Sequence, residues 1–246
     1  MRRAAAALAG ALTLLVAPAV ADPLAECHAA SESRVAVTAC LELQARAAGG
    51  DLAAATEAAA RAAERLAEAT GRSAAVDELA ASEAAFAAYL ATECGRRRAV
   101  MDAGTGAGDV ALACRAELRA RRAEQLWSEV GGRPADGERL TSRPWRLASI
   151  DGEAALAGTA PDLTLGEENR AGGDAGTNRW FAPYRLAGMG LAFGTAGATM
   201  MFNDEPPGRM AQEQRYLQLL GKVDGWRLTV GRLRLLAGEA TVLVFE

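Results

Sequence analysis

The four cysteines are the residues of this sequence with the clearest chemistry. All of them precede residue 115, at Cys27, Cys40, Cys94 and Cys114. A zinc site is a poor explanation, since the chain has one histidine, His28, and no Cys-x-x-Cys pair. An even set of cysteines predicts disulfides if the chain is exported, which the N-terminal segment described below indicates. Spacing alone leaves the pairing open, with a preference for the sequence-local pairs Cys27–Cys40 and Cys94–Cys114.

The candidate groups for acid–base chemistry are the single histidine and two pairs of adjacent carboxylates. His28 lies beside Cys27, and the sequence nominates neither a nucleophile nor an orienting acid for it. The adjacent carboxylates Glu167-Glu168 and Asp204-Glu205 could serve a glycosidase, but such pairs in Gly- and Pro-rich loops are usually solvated. Gly104 to Gly108 lacks the Lys-Ser/Thr of a phosphate-binding loop. The sequence therefore predicts a non-enzymatic protein without a cofactor or metal, with cell-wall hydrolysis as a remote alternative.

The N-terminus has the layout of a cleaved secretory signal. Arg2 and Arg3 precede an apolar run from Ala4 to Val16, and Ala19-Val20-Ala21 follows. The run is too short to span a bilayer, which takes roughly 18 uninterrupted apolar residues, and no later stretch reaches that length. We expect a signal peptide over residues 1–21 and a periplasmic protein. Removing two arginines and no acid takes the formal net charge from −4 to −6, which argues against nucleic-acid binding.

Residues 22–130 have the composition of packed helices. Alanine, glutamate, arginine and leucine dominate, and proline is absent from Ser31 to Val130. Glycines punctuate this half at Gly49-Gly50, Gly71 and Gly104 to Gly108. These breaks predict about four helices. Asp51 and Asp109 each follow a glycine, and we predict that both are helix N-caps.

The helical period ends in a Gly- and Pro-rich segment, which we assign as a linker over residues 131–143. The following residues, 144–246, show short apolar-polar alternations that predict antiparallel strands. The clearest of these are Trp145–Ile150, Asp162–Leu165, Met189–Phe193 and Trp226–Val230. Leu233–Leu236 and Thr241–Phe245 flank Gly238-Glu239 and predict a hairpin, while Met210–Val223 predicts one helix.

The predicted fold is therefore an all-α, disulfide-bearing helical domain followed by an α+β domain, a curled antiparallel sheet with one helix. We expect the second domain to have its own aromatic core, formed by Trp145, Phe181 and Trp226. Trp180, Phe181 and Tyr184 fall in one strand region, where core packing is the preferred interpretation and a ligand patch the alternative.

The basic run Arg96-Arg97-Arg98 directly follows the helical segment that ends at Cys94 and Gly95. We interpret it as favourable charge at a helix C-terminus, where cations meet the helix dipole. The alternative is a contact with the phosphates of anionic lipid head groups or lipopolysaccharide.

Several separated motifs run in order through residues 144–246. They are Trp145-Arg146-Leu147, Gly176 to Tyr184, Leu191 to Gly194, and Glu213 to Leu217 ahead of Trp226. With them the segment resembles the META domain, the module of the heat-shock protein HslJ. Members of that family often have cysteines where this chain has Thr177 and Phe202. The resemblance implies a fold, an envelope compartment and a link to stress, without a catalytic residue.

Leu79 to Cys94 reads LAASEAAFAAYLATEC. It resembles the lysozyme-inhibitor LprI-like N-terminal domain, in which this segment tends to read Leu-x-x-x-Gln-x-x-Trp-x-x-Tyr-Arg-x-x-x-Cys. The resemblance implies a partner-binding site at Glu83, Phe86 and Tyr89, and a lysozyme-like glycosidase as the partner. Phe86 and Leu90 stand where the family tends to have Trp and Arg, so we expect inhibition to be weak or absent.

Two functional hypotheses follow. In the first, the helical domain occludes a partner while the second domain supports the envelope under stress. In the second, both domains are structural elements of a stress protein without a specific ligand. An exposed face shared by Glu83 and Tyr89 would favour the first, and burial of the matched residues would favour the second.

Overall fold

The computed structural model describes residues 22–102, 104–133, 140–141, 143–229 and 232–246. The predicted signal peptide lies outside the described residues, and so do residues 134–139 and 142 of the predicted linker. We refer to residues 22–133 as the helical half and to residues 140–246 as the β half.

The described part of the helical half contains four helices, the number predicted. They are α1 (Pro23–Ala30), α2 (Arg34–Thr70), α3 (Ala74–Val100) and α4 (Ala107–Glu129). One disulfide, Cys27–Cys40, joins α1 to α2, and the other, Cys94–Cys114, joins α3 to α4. The pairing is thus the sequence-local one, and each bridge fastens neighbouring helices whose alanine-rich faces bury little apolar area.

The prediction of a helix break at Gly49-Gly50 is wrong, because α2 continues through both glycines for 37 residues. A Cβ atom at Gly50 would lie 1.7 Å from the backbone oxygen of Asp224 in the β half. Asp51 is consequently in mid-helix, not at an N-cap. The glycines mark the place where another backbone approaches α2 closely.

The predicted N-cap at Asp109 is also wrong. Gly106 is the N-cap of α4, and Asp109 lies inside its first turn, where an acidic side chain is favoured by the helix dipole. The Asp109 carboxylate accepts a hydrogen bond from Thr38 Oγ1 at 2.7 Å, which links α4 to α2.

The described part of the β half consists mainly of short antiparallel strands, together with a helix in the second half of the domain. The strands are β1 (Trp145–Ile150), β2 (Glu153–Ala154), β3 (Asp162–Leu165), β4 (Arg170–Asp174), β5 (Arg179–Ala187), β6 (Gly190–Phe193), β7 (Gly197–Ala198), β8 (Gly225–Thr229), β9 (Arg232–Ala237) and β10 (Ala240–Phe245). The helix, α5 (Arg209–Leu220), lies between β7 and β8 in the chain, and a 3-10 turn covers Glu167–Asn169. The predicted terminal hairpin is confirmed as β9 and β10.

The predicted curled sheet is corrected to a closed one. The described strands are paired in the order β10-β9-β8-β6-β5-β4-β3-β1. The last strand of this series, β1, also pairs with the first, β10, which closes the sheet. Leu147 lies opposite Phe245 and Ile150 opposite Leu243, with a bulge between Leu147 and Ser149. The bulge strengthens the local twist that closure requires. Pairing of β1 with β10 removes two free strand edges that a curled sheet would expose.

Aromatic side chains fill the interior of the closed sheet. Tyr216 of α5 contacts Trp180 edge-to-face, with ring centroids 5.9 Å apart, and Trp180 contacts Phe193 in the same way at 6.3 Å. Trp180 and Tyr184 lie on the buried face of β5, which confirms core packing for these two. Phe181 does not belong to this core, because strand neighbours alternate faces and its side chain points outward.

The two halves share one hydrophobic cluster. Ala54, Ala55 and Ala59 of α2, together with Leu126 and Trp127 of α4, pack in the same cluster as the interior of the closed sheet. Gly190 of β6 lies so near α2 that a Cβ there would be 1.7 Å from the backbone oxygen of Ala47. The helical half therefore rests directly on the sheet.

Candidate functional site

The residues that the sequence nominated for partner binding lie on two faces of α3. Glu83 and Phe86 face α2 and α4 and are half-buried, whereas the Tyr89 side chain is 53% exposed. Six residues separate Glu83 from Tyr89, which corresponds to about 240° around an α-helix. The structure therefore does not place the two on one exposed face.

Glu83 and Phe86 both contact Arg122 of α4. Arg122 Nε donates to Glu83 Oε1 at 2.9 Å, and the guanidinium carbon lies 5.9 Å from the centre of the Phe86 ring. Thr56 Oγ1 of α2 donates to the other carboxylate oxygen of Glu83 at 3.3 Å. Arg122 thus joins α3 to α4 through an ion pair and a cation–π contact, both screened from solvent by the helices.

A groove of about 490 Å³ lies beside this cluster, between α2, α3 and the β half. We call it the α3 groove. Leu52, Phe86 and Leu90 contribute apolar walls, and three cations, Arg46, Arg119 and Lys222, line it together with Glu83 and Asp224. Phe86 and Leu90 are part of the resembling segment. The arginines carried no periodic or motif signal, so the sequence did not nominate them.

The two arginines of the α3 groove differ in their partners. Arg46 donates from Nη1 to the backbone oxygen of Gly221 at 2.9 Å and from Nη2 to that of Phe193, so it binds the β half. Arg119 donates to the backbone oxygen of Ala45 at 3.1 Å, and no carboxylate of the described residues forms an ion pair with it. Burial lowers the pKa of both guanidinium groups, although both remain protonated cations.

The run Arg96 to Arg98 is partly explained by neighbouring carboxylates. Arg96 and Arg97 both bind Glu93, at 2.8 and 2.9 Å, and Arg97 also binds Glu117 of α4 at 2.8 Å. These hydrogen bonds lower the pKa of the Glu93 carboxyl to about 2 from an ordinary value of 4.5. The run lies at the C-terminal end of α3, where the sequence placed it.

Acidification should test this cluster. A carboxyl whose pKa is lowered on folding contributes stability above its unfolded pKa, so the Glu93 contribution is present above pH 4.5 and is lost as the pH falls towards 2. We expect the melting temperature of the protein to fall more between pH 5 and pH 2 than that of Glu93→Gln, which cannot titrate there. Thermal unfolding followed by circular dichroism measures both. Parallel curves for the two proteins would contradict this assignment.

The remaining candidates have structural surroundings. His28 is exposed on α1, and Asp204 accepts hydrogen bonds from the backbone nitrogens of Gly208 and Met210 at the start of α5. Glu168 lies in the 3-10 turn and Glu205 is exposed. Within the described ranges, no three His, Cys, Asp or Glu side chains are grouped to hold a metal ion. Across the same ranges, none of the helices combines the length and the apolar character needed to cross a bilayer.

Comparisons with known proteins divide the chain at the same place as the fold. A family model described as lysozyme inhibitor LprI matches residues 26–126, and one described as META domain matches residues 138–246. None of the curated proteins matches the chain.

Two solved structures are similar over less than half of the chain. An NMR structure of a protein from Burkholderia xenovorans is 29% identical, covers 46% of this chain and 86% of its own, and has a TM-score of 0.38. A second NMR structure is 20% identical, covers 44% of this chain and 92% of its own, and has a TM-score of 0.38. The two family models, taken together, identify a lysozyme inhibitor LprI domain at residues 26–126, followed by a META domain at residues 138–246.

Proposed function

We propose that this chain is an exported, non-enzymatic cell-envelope protein whose LprI domain binds a protein partner, in the manner of a lysozyme inhibitor. The META domain supports the envelope under stress and provides the surface on which the helices rest. The mechanism is occlusion of a partner's surface without a chemical step. A lysozyme-like glycosidase is the partner class that the LprI match favours.

The α3 groove is the observation that carries this proposal. Most of its lining residues lie within the LprI match, and it combines an aromatic wall, Phe86, with a cation, Arg119, that has no carboxylate partner among the described residues. The few residues that dominate the binding energy of protein interfaces are enriched in tryptophan, tyrosine and arginine. An acidic side chain of a partner could form an ion pair with Arg119, because no carboxylate of the described residues already pairs with it.

A second candidate function, a structural stress protein without a specific ligand, is favoured by another observation. Glu83 and Phe86 are both engaged by Arg122, so two of the three nominated residues hold the helices together. In that case the matched segment stabilises the fold and the α3 groove is a packing gap.

Lysozyme inhibition distinguishes the two candidates. We expect the mature protein to slow the lysis of a cell-wall suspension by a c-type lysozyme at low salt only, since screening over about 8 Å at physiological ionic strength weakens attraction between exposed charges. The assay is the loss of turbidity at increasing protein concentrations. Arg119→Gln should abolish the effect, whereas Arg121→Gln, whose side chain is 56% exposed, should retain it.

Two other outcomes would contradict the expected weak, salt-sensitive inhibition. Stoichiometric inhibition at physiological salt would identify a tight inhibitor, contrary to the loss of Trp and Arg at Phe86 and Leu90. An unchanged lysis rate at both salt concentrations would favour the structural candidate.

A further inference from the structure

A second cleft lies where the two halves meet. It has a volume of about 590 Å³ and is bordered by Leu43 and Gln44 of α2 and by Phe181, Asn169 and Arg170 of the β half. Among the described residues, it has no lining residue in common with the α3 groove. We call it the interdomain cleft. Ligand sites occur preferentially at such junctions, because two surfaces supply complementary walls.

Phe181 forms an open aromatic platform in this cleft. Its side chain is 60% exposed, unlike those of Trp180 and Tyr184 on the same strand. The residues opposite Phe181 on both neighbouring strands are glycines, Gly172 of β4 and Gly197 of β7. A Cβ at Gly197 would lie 2.7 Å from Phe181 Cζ, so the phenyl ring lies directly over the glycine backbone. Because glycine has no side chain, neither Gly172 nor Gly197 covers the other face of the ring.

Free polar groups surround the platform. Glu168, Asn169 and Arg170 are consecutive, exposed and all line the cleft. Glu168 and Asn169 both have positive φ, 54° and 57°, a conformation that non-glycine residues rarely adopt. In the described part of the chain, no hydrogen bond or ion pair engages the side chains of these three residues. Strained backbone of this kind is concentrated at functional sites.

This combination fits a sugar better than other ligands. A pyranose ring has a face of C–H groups, which suits the negative face of an aromatic ring, and a rim of hydroxyls that donate and accept hydrogen bonds. The amide of Asn169, the carboxylate of Glu168 and the guanidinium of Arg170 supply donors and acceptors beside the ring. Glu168 and Arg170 offset each other in charge, which disfavours a strongly charged ligand.

We propose that the interdomain cleft binds a carbohydrate, with a pyranose ring stacked on Phe181 and its hydroxyls held by Glu168, Asn169 and Arg170. An aromatic ring often covers glycines in a sheet for structural reasons, and this would explain the position of Phe181 without a ligand. It does not account for three polar side chains without partners beside the ring. The proposal is independent of the function proposed for the α3 groove, since it uses different residues.

Two soluble probes test the proposal: a tetramer of N-acetylglucosamine and a tetramer of glucose. All four tryptophans are buried, so tryptophan emission is a poor reporter. Isothermal titration calorimetry and saturation-transfer NMR on the sugar are suitable. We expect binding of at least one tetramer, with saturation strongest at the C–H protons of the stacked ring, and the two arms distinguish an acetamido sugar from a simple hexose.

Two variants remove the two parts of the site. Phe181→Ala should weaken binding about three- to tenfold, the size of an aromatic stacking contribution. Asn169→Gly removes the amide while glycine tolerates the positive φ, so it should weaken binding without straining the turn. Phe202→Ala, at an exposed phenylalanine that does not line the interdomain cleft, is the matched control and should bind like the unmodified protein. Melting temperatures of all variants establish that each is folded.

The proposal is wrong if neither tetramer binds at low millimolar concentration. It is also wrong if folded Phe181→Ala and Asn169→Gly both bind as well as the unmodified protein, or if Phe202→Ala loses as much affinity as Phe181→Ala.

Discussion

Replacing Asp51 by alanine is expected to lower the free energy of unfolding by about 3–5 kcal/mol, the cost of removing one partner from a buried, hydrogen-bonded charge. Asp51 is 4% exposed. Its Oδ1 accepts hydrogen bonds from Met189 N at 2.9 Å and from Trp127 Nε1 at 3.0 Å, and its Oδ2 accepts from Arg133 Nη2 at 2.7 Å. One carboxylate on α2 therefore holds α4, the segment after α4 and the β half.

The loss should be large because alanine leaves two buried donors without an acceptor and leaves Arg133 with only its ion pair to Glu124, at 3.1 Å. Urea unfolding followed by far-ultraviolet circular dichroism measures the change. The matched control is Glu57→Ala, which removes another carboxylate that bridges the halves, by its contact with Arg227 at 3.1 Å. Glu57 is half exposed, so we expect a loss of about 1 kcal/mol or less. Equal losses of stability in the two variants would show that the buried hydrogen bonds of Asp51 contribute no more than an exposed ion pair does.

The second large effect is expected at Glu213, where alanine should cost about 3–4 kcal/mol because buried donors are left unpaired. Glu213 is 5% exposed on α5. Its Oε2 accepts from the backbone nitrogens of Thr177 and Asn178, both at 2.8 Å, and its Oε1 accepts from Asn178 Nδ2 at 2.7 Å. The carboxylate thus fastens α5 to the segment that enters β5.

Glu213→Gln is the sharper test of this geometry. Asn178 Oδ1 already accepts from Thr199 Oγ1 and Met201 N, so the Asn178 amide cannot turn over to accommodate a glutamine NH₂. Two donors would face each other, and we expect a loss of about 1–3 kcal/mol. Gln214→Ala, at the exposed neighbouring position, should change stability by about 0.5 kcal/mol or less. Urea unfolding of the three variants measures their relative stabilities. A Glu213→Gln protein as stable as Gln214→Ala would contradict the expected loss.

The same network joins the two segments that contain Thr177 and Phe202, the positions at which the resemblance to the META domain implied cysteines. Thr177 Oγ1 donates to the backbone oxygen of Asn203 at 3.0 Å, one residue beyond Phe202. Asn178 Nδ2 also donates to the backbone oxygen of Met201 at 3.0 Å. The two segments that contain Thr177 and Phe202 are therefore joined by hydrogen bonds.

Local patterns in the sequence determined much of the fold. The glycines at Gly71 and at Gly104 to Gly108 predicted the ends of α2 and α3, and alternation around Gly238-Glu239 predicted the hairpin of β9 and β10. These signals succeed because helix and strand periods are properties of a few consecutive residues. The resemblances added both domain identities, since separated motifs such as Gly176 to Tyr184 preserve their order along the chain.

Only the tertiary structure decided which contacts those elements make. Gly49-Gly50 looked like a helix break, whereas Gly50 is required by the approach of the Asp224 backbone. Asp51 had the sequence signature of an N-cap, yet its partners are 76, 82 and 138 residues away. A local pattern cannot distinguish a glycine needed for a turn from one needed for close packing, because both require only the absence of a side chain.

Closure of the sheet and both candidate sites were decided in the same way. Pairing of β1 with β10 joins the two ends of the β half, and each strand has the same alternation whether the sheet is open or closed. Phe181 was assigned to the core with its aromatic neighbours, and its position on the exposed face of β5 shows it to be outside. The α3 groove and the interdomain cleft exist because surfaces distant in sequence meet, and alternation along one strand carries no information about what lies across from it.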